Sequence, residues 1–179
     1  MAEPIVVYRV RLATAAYSGC ADAALHHILT AELGGPFVLA RDDHGKPYVI
    51  GRACAFNVAH SGALALVAVA RGGELGVDVE HHRLLREAAT IARRFFTAGE
   101  AAEVEAGVRA GDLAAFYRVW CRKEAWVKAR GGGLRLPLDT VDVRGEVPGW
   151  WIADLDVGAG YSAAIARAGA AADVRVVDL

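Results

Sequence analysis

Cysteine is scarce in this 179-residue chain, and so is any surplus of positive charge. Cys20, Cys54 and Cys121 are odd in number and far apart. Their spacing offers no disulfide framework and no zinc or dithiol motif, so they read as small buried hydrophobes. The formal net charge is −1, which removes the broad basic field that nucleic acid or an anionic lipid surface requires. Any polyanion must be gripped locally. Long apolar runs are also missing: the longest, ALALVAVA at Ala63–Ala70, is far too short to cross a bilayer. The opening MAEPIVVYRVRLA lacks the charged start, apolar middle and small-residue cleavage site of a secretory leader. The cytoplasm is therefore the expected location, with no membrane and no nucleic acid as partner. Lysine and arginine are absent from Leu12 to Ala40.

The residues present describe a folded chain. The apolar fraction is 55%, and the length fits one domain or two small similar halves with a real core. PIVVYRVRL reads as a strand, and ADAALHHILTAELGG as a helix with Asp22 in its first turn and Gly34–Gly35 at its end. RDDHGKPYVI reads as a turn and a short strand. AFNVAHSGALALVAVA reads as a strand, a polar break at His60–Gly62 and a buried strand. RGGELGVDVEHH is a tight turn and a strand. LLREAATIARRFF and TAGEAAEVEAG are helices, the second opened by a capping box at Thr97 and Glu100. DLAAFYRVWCRKEAWVKARGGG is a long helix with Asp112 as N-cap and Gly131 as stop. Strands are expected around Val141, Trp150–Asp156, Tyr161–Ala166 and Val174–Val177. FNVAHSGALALVAVA and LDVGAGYSAAIARA share the order strand, small polar break, apolar strand, which suggests two related α/β halves meeting near residue 72.

Three stretches could carry chemistry. In GVDVE, Gly76–Glu80, alternation sends Asp78 and Glu80 to one side, roughly 6–7 Å apart, and Val77 and Val79 to the core. Paired carboxylates suit a hard cation such as Mg²⁺, although a solvated acidic face gives the same pattern. In VWCRKEAWVKARGGGL, Phe116, Trp120, Glu124 and Lys128 recur every four residues, with Lys123 a third of a turn away. Glu124 could supply a third carboxylate and the lysines could meet phosphates. A salt-bridged amphipathic helix is the plainer alternative. In FNVAHSG, His60 could donate to a phosphate oxygen or simply be satisfied by backbone. His26, His27, His44, His81 and His82 show no metal spacing.

The order GKPYV, FNVAHS, GVDVE, FFTAGE, FYRVWCRKEAWVKARGGGL resembles the 4′-phosphopantetheinyl transferases, in particular the larger, surfactin-synthetase-activating type, from about Gly45 to Leu134. Trp120, Lys123, Glu124, Ala125 and Lys128, with Gly76, Asp78 and Glu80 upstream, carry the likeness. It implies transfer of the phosphopantetheine arm of coenzyme A to a serine of an apo acyl or peptidyl carrier protein, with release of adenosine 3′,5′-bisphosphate. It implies Asp78, Glu80 and Glu124 as ligands of Mg²⁺, with Mn²⁺ as an alternative. Lys123 and Lys128 would lie beside the reacting phosphates, His60 on a phosphate, and Lys46 near the adenine end. Glu124 or Glu80 would take the serine proton. The implied fold is α/β (α+β): two similar halves, 1–72 and 73–179, each a three-stranded sheet on a long helix. A pseudo-two-fold axis would relate them, with coenzyme A in the cleft of a monomer.

Two departures stand out. Ala59 replaces the serine that usually precedes the histidine, and the cation-free stretch from Leu12 to Ala40 lacks the basic residues that grip the 3′-phosphate in larger members. Arg9, Arg11, Arg41 or Arg52 would have to substitute. The rival readings are a Mg²⁺-dependent pyrophosphohydrolase that cleaves coenzyme A with water, and a degenerate module that binds without turnover.

Overall fold

The computed structural model describes residues 4–12, 17–131 and 137–179. Gly132, Gly133 and Leu134, the end of the motif, lie outside them, as does the start of the opening segment. The β-branched run Ile5–Arg11 forms β1, and α1 spans Tyr17–Leu33. The short strands β2, Leu39–Arg41, and β3, Pro47–Val49, pair as a hairpin. Next come β4, Ala55–Ser61, β5, Leu64–Ala70, and β6, Leu75–His81. The helices α2, Ala88–Phe95, α3, Ala98–Arg109, and α4, Ala114–Arg130, follow in succession. A 3₁₀ turn at Leu138–Thr140 leads to β7, Trp150–Asp154, β8, Tyr161–Ala168, and β9, Val174–Asp178.

The architecture is mixed α/β. One sheet has the order β4-β5-β1-β9 and the other β6-β8-β7. The sequence reading allots three strands to each sheet. The first has four because β9 crosses back to lie parallel to β1, Ile5 against Val174. Arg9 clasps the crossover, its guanidinium bidentate on Asp178 and donating to Val157 O.

Alternation in β5 builds the core. Ala65, Val67 and Val69 pack under α1 with Leu25, Ile28 and Leu29. Leu64, Leu66 and Ala68 face the other way, toward Val77, Val79 and Ile165 of the second sheet. Each such aliphatic side chain taken fully from water contributes about 1.5–3 kcal/mol. On the far side of the second sheet, α4 sets Cys121, Ala125 and Ala129 against Ala164 and Ala166.

Several local readings need correction. Helix α1 begins at Tyr17, a turn before the expected start, so Asp22 is not in its first turn. His60 and Ser61 are not in a break. They are the last residues of β4, paired with Ala65 and Leu64, and the chain turns at Gly62 with φ 58°. Leu113, not Asp112, is the N-cap of α4, although Asp112 Oδ1 still accepts the Ala114 N–H at 2.8 Å. Val141 is in no strand, because its carbonyl is taken by Lys123 and the Val143 N–H by Glu100 instead of by a ladder. The capping box at Thr97–Glu100 and the left-handed stop at Gly131 are as expected.

Candidate active site

Glycine decides how near α4 comes to β6. A Cβ at Gly76 would fall 2.1 Å from Ala125 O and 2.4 Å from Ala129 N, so only glycine lets the helix backbone rest on the strand. The small residues Ala125 and Ala129 complete the seam. Strand alternation then turns Asp78 and Glu80 toward the helix, while Val77 and Val79 enter the core. From the helix side come Glu124 and Lys128.

Lys128 Nζ donates to Asp78 Oδ1 at 2.6 Å and more weakly to Val77 O at 3.4 Å. Asp78 is 5% exposed, and its Oδ2 is buried without a hydrogen-bond partner. The neighbouring Cys121 thiol donates to Ser162 O, and burial pushes that thiol up from its ordinary value. Burial also pushes the Asp78 carboxyl up. Lys128 opposes that rise, and Glu80 adds to it. Glu124 is raised by burial, then by Asp78 and Glu80, again against Lys128. The acidic groups therefore feel one another and are under-neutralised.

Strand β4 supports this cluster from the other sheet. Ser61 Oγ donates to Glu80 Oε2 at 2.7 Å and accepts the His81 N–H. Asn57 Oδ1 accepts the Val77 N–H at 2.9 Å. These tethers emerge only when the two sheets meet, and strand pattern alone does not reveal them.

A cavity of about 270 Å³ opens beside the group, lined among others by Gly45, Lys46, Asn57, Glu124 and Lys128. Lys46 Nζ donates to Ala129 O and Leu75 O, across the end of α4, and burial holds its ammonium below the ordinary value. His60 is exposed at the end of β4 and is not among the residues lining the cavity.

Two placements differ from the sequence reading. Among the described residues, no group of three or more His, Cys, Asp or Glu is gathered tightly enough to hold a metal ion. Like charges repel, and here Lys128 occupies Asp78 while Ser61 occupies Glu80. The donor set itself, hard carboxylate oxygens with a buried and unpartnered Asp78 Oδ2, fits Mg²⁺. Lys123 does not join Lys128. It is 1% exposed and paired with Glu100 at 2.8 Å. Helical geometry carries the signal, since residues five apart point about 140° apart. Glu100 was read as a helix cap and is also the partner of that lysine.

The site is thus an acidic strand and a basic-acidic helix packed through glycine, with a cavity at the seam. Residues 74–151 match the 4′-phosphopantetheinyl transferase superfamily. Among curated relatives, the 4′-phosphopantetheinyl transferase AcpT of Salmonella typhi is 42% identical over 91 residues, 50% of this chain and 47% of the relative. The 4′-phosphopantetheinyl transferase Sfp of Bacillus subtilis (strain 168) is 34% identical over 103 residues, 57% of this chain and 45% of the relative. AcpT of Escherichia coli (strain K12) is 40% identical over 77 residues, 43% of this chain and 40% of the relative. The matches span about half the length of these relatives. The likeness to the 4′-phosphopantetheinyl transferase superfamily is carried by this segment, which holds Asp78, Glu80, Glu124 and Lys128.

Proposed function

We propose that the chain moves the 4′-phosphopantetheine arm of coenzyme A to the serine of an apo acyl or peptidyl carrier protein. The observation that carries this is the Asp78–Lys128 pair beside Glu124, at the mouth of the Lys46 cavity and inside the segment matched to the superfamily. The serine oxygen bonds to the phosphorus that bears pantetheine, and that phosphorus loses its bond to the bridging oxygen. Adenosine 3′,5′-bisphosphate leaves with that oxygen, and the serine proton passes to a carboxylate. Glu80 already accepts the Ser61 hydroxyl, so Glu124 is the freer acceptor. Lys128 and Lys46 offset charge on the phosphates. Asp78, Glu80 and Glu124 would hold Mg²⁺, or Mn²⁺ in its place, and a bound ion would supply further neutralisation of the diphosphate. His60 retains a phosphate contact in this reading. Lys123, which the resemblance also sets beside the phosphates, is buried and takes no such part.

Two similar halves, 1–72 and 73–179, would flank coenzyme A in a cytoplasmic monomer. The long helices α1 and α4, one on the outer face of each sheet, favour that pseudo-symmetric reading. Among the described residues no helix is long and apolar enough to cross a membrane.

The test is mass spectrometry of an apo carrier protein incubated with this chain, coenzyme A and Mg²⁺. The expected result is a gain of the phosphopantetheine mass. Cleavage of coenzyme A without a carrier would make the protein a pyrophosphohydrolase. Binding without turnover would make it a holding module.

A further inference from the structure

We infer that Lys123 is a positioning residue: with Glu100 it locks α3 and the segment 138–143 onto the back of the helix whose front carries Glu124 and Lys128. This rests on the transferase reading above. The chain has three lysines, Lys46, Lys123 and Lys128. Two of them line the cavity, and the third is sealed away from it. Lys123 Nζ donates to Leu138 O and Val141 O, both at 2.7 Å, and meets Glu100 Oε2 at 2.8 Å. An ammonium has three donors, so none is left for a phosphate.

Glu100 is as fully engaged. It is 0% exposed. Its Oε1 accepts the Val143 N–H at 2.8 Å and its Oε2 the Thr97 N–H at 2.8 Å. The pair thus closes the start of α3, fixes both ends of the stretch from Leu138 to Val143, and ties all of it to α4. The Phe96 ring lies 5.5 Å from the ammonium. The adjacent Arg122 adds a parallel tether to Val143 O and Asp154. For Lys123 to reach substrate it would have to leave two carbonyls without a donor and a buried carboxylate without a counter-charge, which native interiors avoid. Its effect on the reaction therefore runs through the placement of α4 against β6.

Amine acylation of the folded wild-type chain, mapped by mass spectrometry with and without coenzyme A, tests this directly. The expected result is that Lys123 stays unmodified in both conditions, while Lys46 and Lys128 react and coenzyme A shields them. Modification of Lys123 that coenzyme A suppresses would overturn the proposal. Failure of coenzyme A to shield Lys128 would instead count against the transferase reading and leave inert Lys123 standing. A variant pair gives a second readout. K123M strands Glu100. E100Q removes the stranded charge and keeps one of the two acceptor oxygens that serve Thr97 and Val143. If the pair only positions α4, adding E100Q to K123M recovers part of the melting temperature and part of the transfer rate in step, since Leu138 O and Val141 O still lack a donor. A double variant that melts above K123M yet transfers no faster than K123M would make Lys123 a substrate contact.

Discussion

Lys128 reaches across the α4–β6 seam to one oxygen of Asp78 at 2.6 Å, and the other oxygen of that carboxylate is buried with no partner. One ammonium thus serves a carboxylate that also feels Glu80 and Glu124. A second cation would relieve what Lys128 leaves uncompensated. That arrangement is costly for a structural ion pair and useful for a site that recruits a metal with its substrate.

The first prediction follows from that imbalance. Asp78→Ala or Glu124→Ala lowers the rate of phosphopantetheine transfer at least about 100-fold, because metal-site charge stabilisation is worth several kcal/mol. The rates are to be measured at saturating Mg²⁺. Near-normal turnover in either variant would remove that residue from the site.

The second concerns the seam itself. Gly76→Ala places a methyl group against the backbone of Ala125 and Ala129, which cannot retreat as a flexible side chain would. Overpacking of this kind costs about 1–3 kcal/mol, and each kcal/mol lowers the melting temperature by roughly 2–4 °C at this chain length. Transfer falls too, since α4 carries Glu124 and Lys128 with it. A variant that melts with the wild type by calorimetry would show that the contact yields.

How much of this was legible in the sequence depends on how local each cause is. Alternation in Gly76–Glu80, the capping box at Thr97 and the left-handed stop at Gly131 depend on neighbours in the chain, and the structure keeps all three. The return of β9 to β1 depends on a pairing between opposite ends of the chain, and no periodicity encodes it. Ser61 read as part of a break because His60–Gly62 is polar, yet its hydroxyl is what holds Glu80. Lys123 is an intermediate case. Its angle from Lys128 follows from helix geometry, but the Glu100 that draws it inward is known only once α3 packs on α4.

The third prediction concerns the 3′-phosphate of coenzyme A. No lysine or arginine falls between Leu12 and Ala40, and three of the four arginines that could substitute are already engaged. Arg9 holds Asp178, Arg41 donates to Gly45 O at 2.7 Å, and Arg52 donates to Leu33 O at 3.0 Å. Truncating an ion-paired contact in a buried site ordinarily costs roughly 2–5 kcal/mol. Here the preference for coenzyme A over 3′-dephospho-coenzyme A, compared as kcat/KM, stays below about 1,000-fold, near 4 kcal/mol. A larger ratio would mean that Arg11 reaches the ligand or that one of these engaged arginines leaves its partner for it.

The last prediction concerns where the carrier protein docks. With a net charge of −1 the chain cannot steer an acidic partner by its overall field, so attraction must come from a patch. The stretch after β6 supplies one. Leu84 is 78% exposed, and Arg83 and Arg86 stand exposed on either side of it. Tyr117 pins the backbone here, its hydroxyl donating to Arg83 O and accepting the Arg83 N–H. His82 stacks on the same ring with centroids 4.8 Å apart. The patch therefore sits on a fixed loop next to the acidic strand. Arg93 is a poorer probe, because it bridges α2 to α3 through Glu105. Leu84→Asp with Arg86→Glu raises the KM for an acidic carrier protein about tenfold or more, a loss near 1.4 kcal/mol. The KM for coenzyme A is unchanged. Added salt weakens the wild-type encounter more than that of the variant, since exposed charges are screened over about 8–10 Å at physiological ionic strength. If the double variant keeps its fold by circular dichroism and its carrier KM does not move, the docking surface lies elsewhere on the molecule.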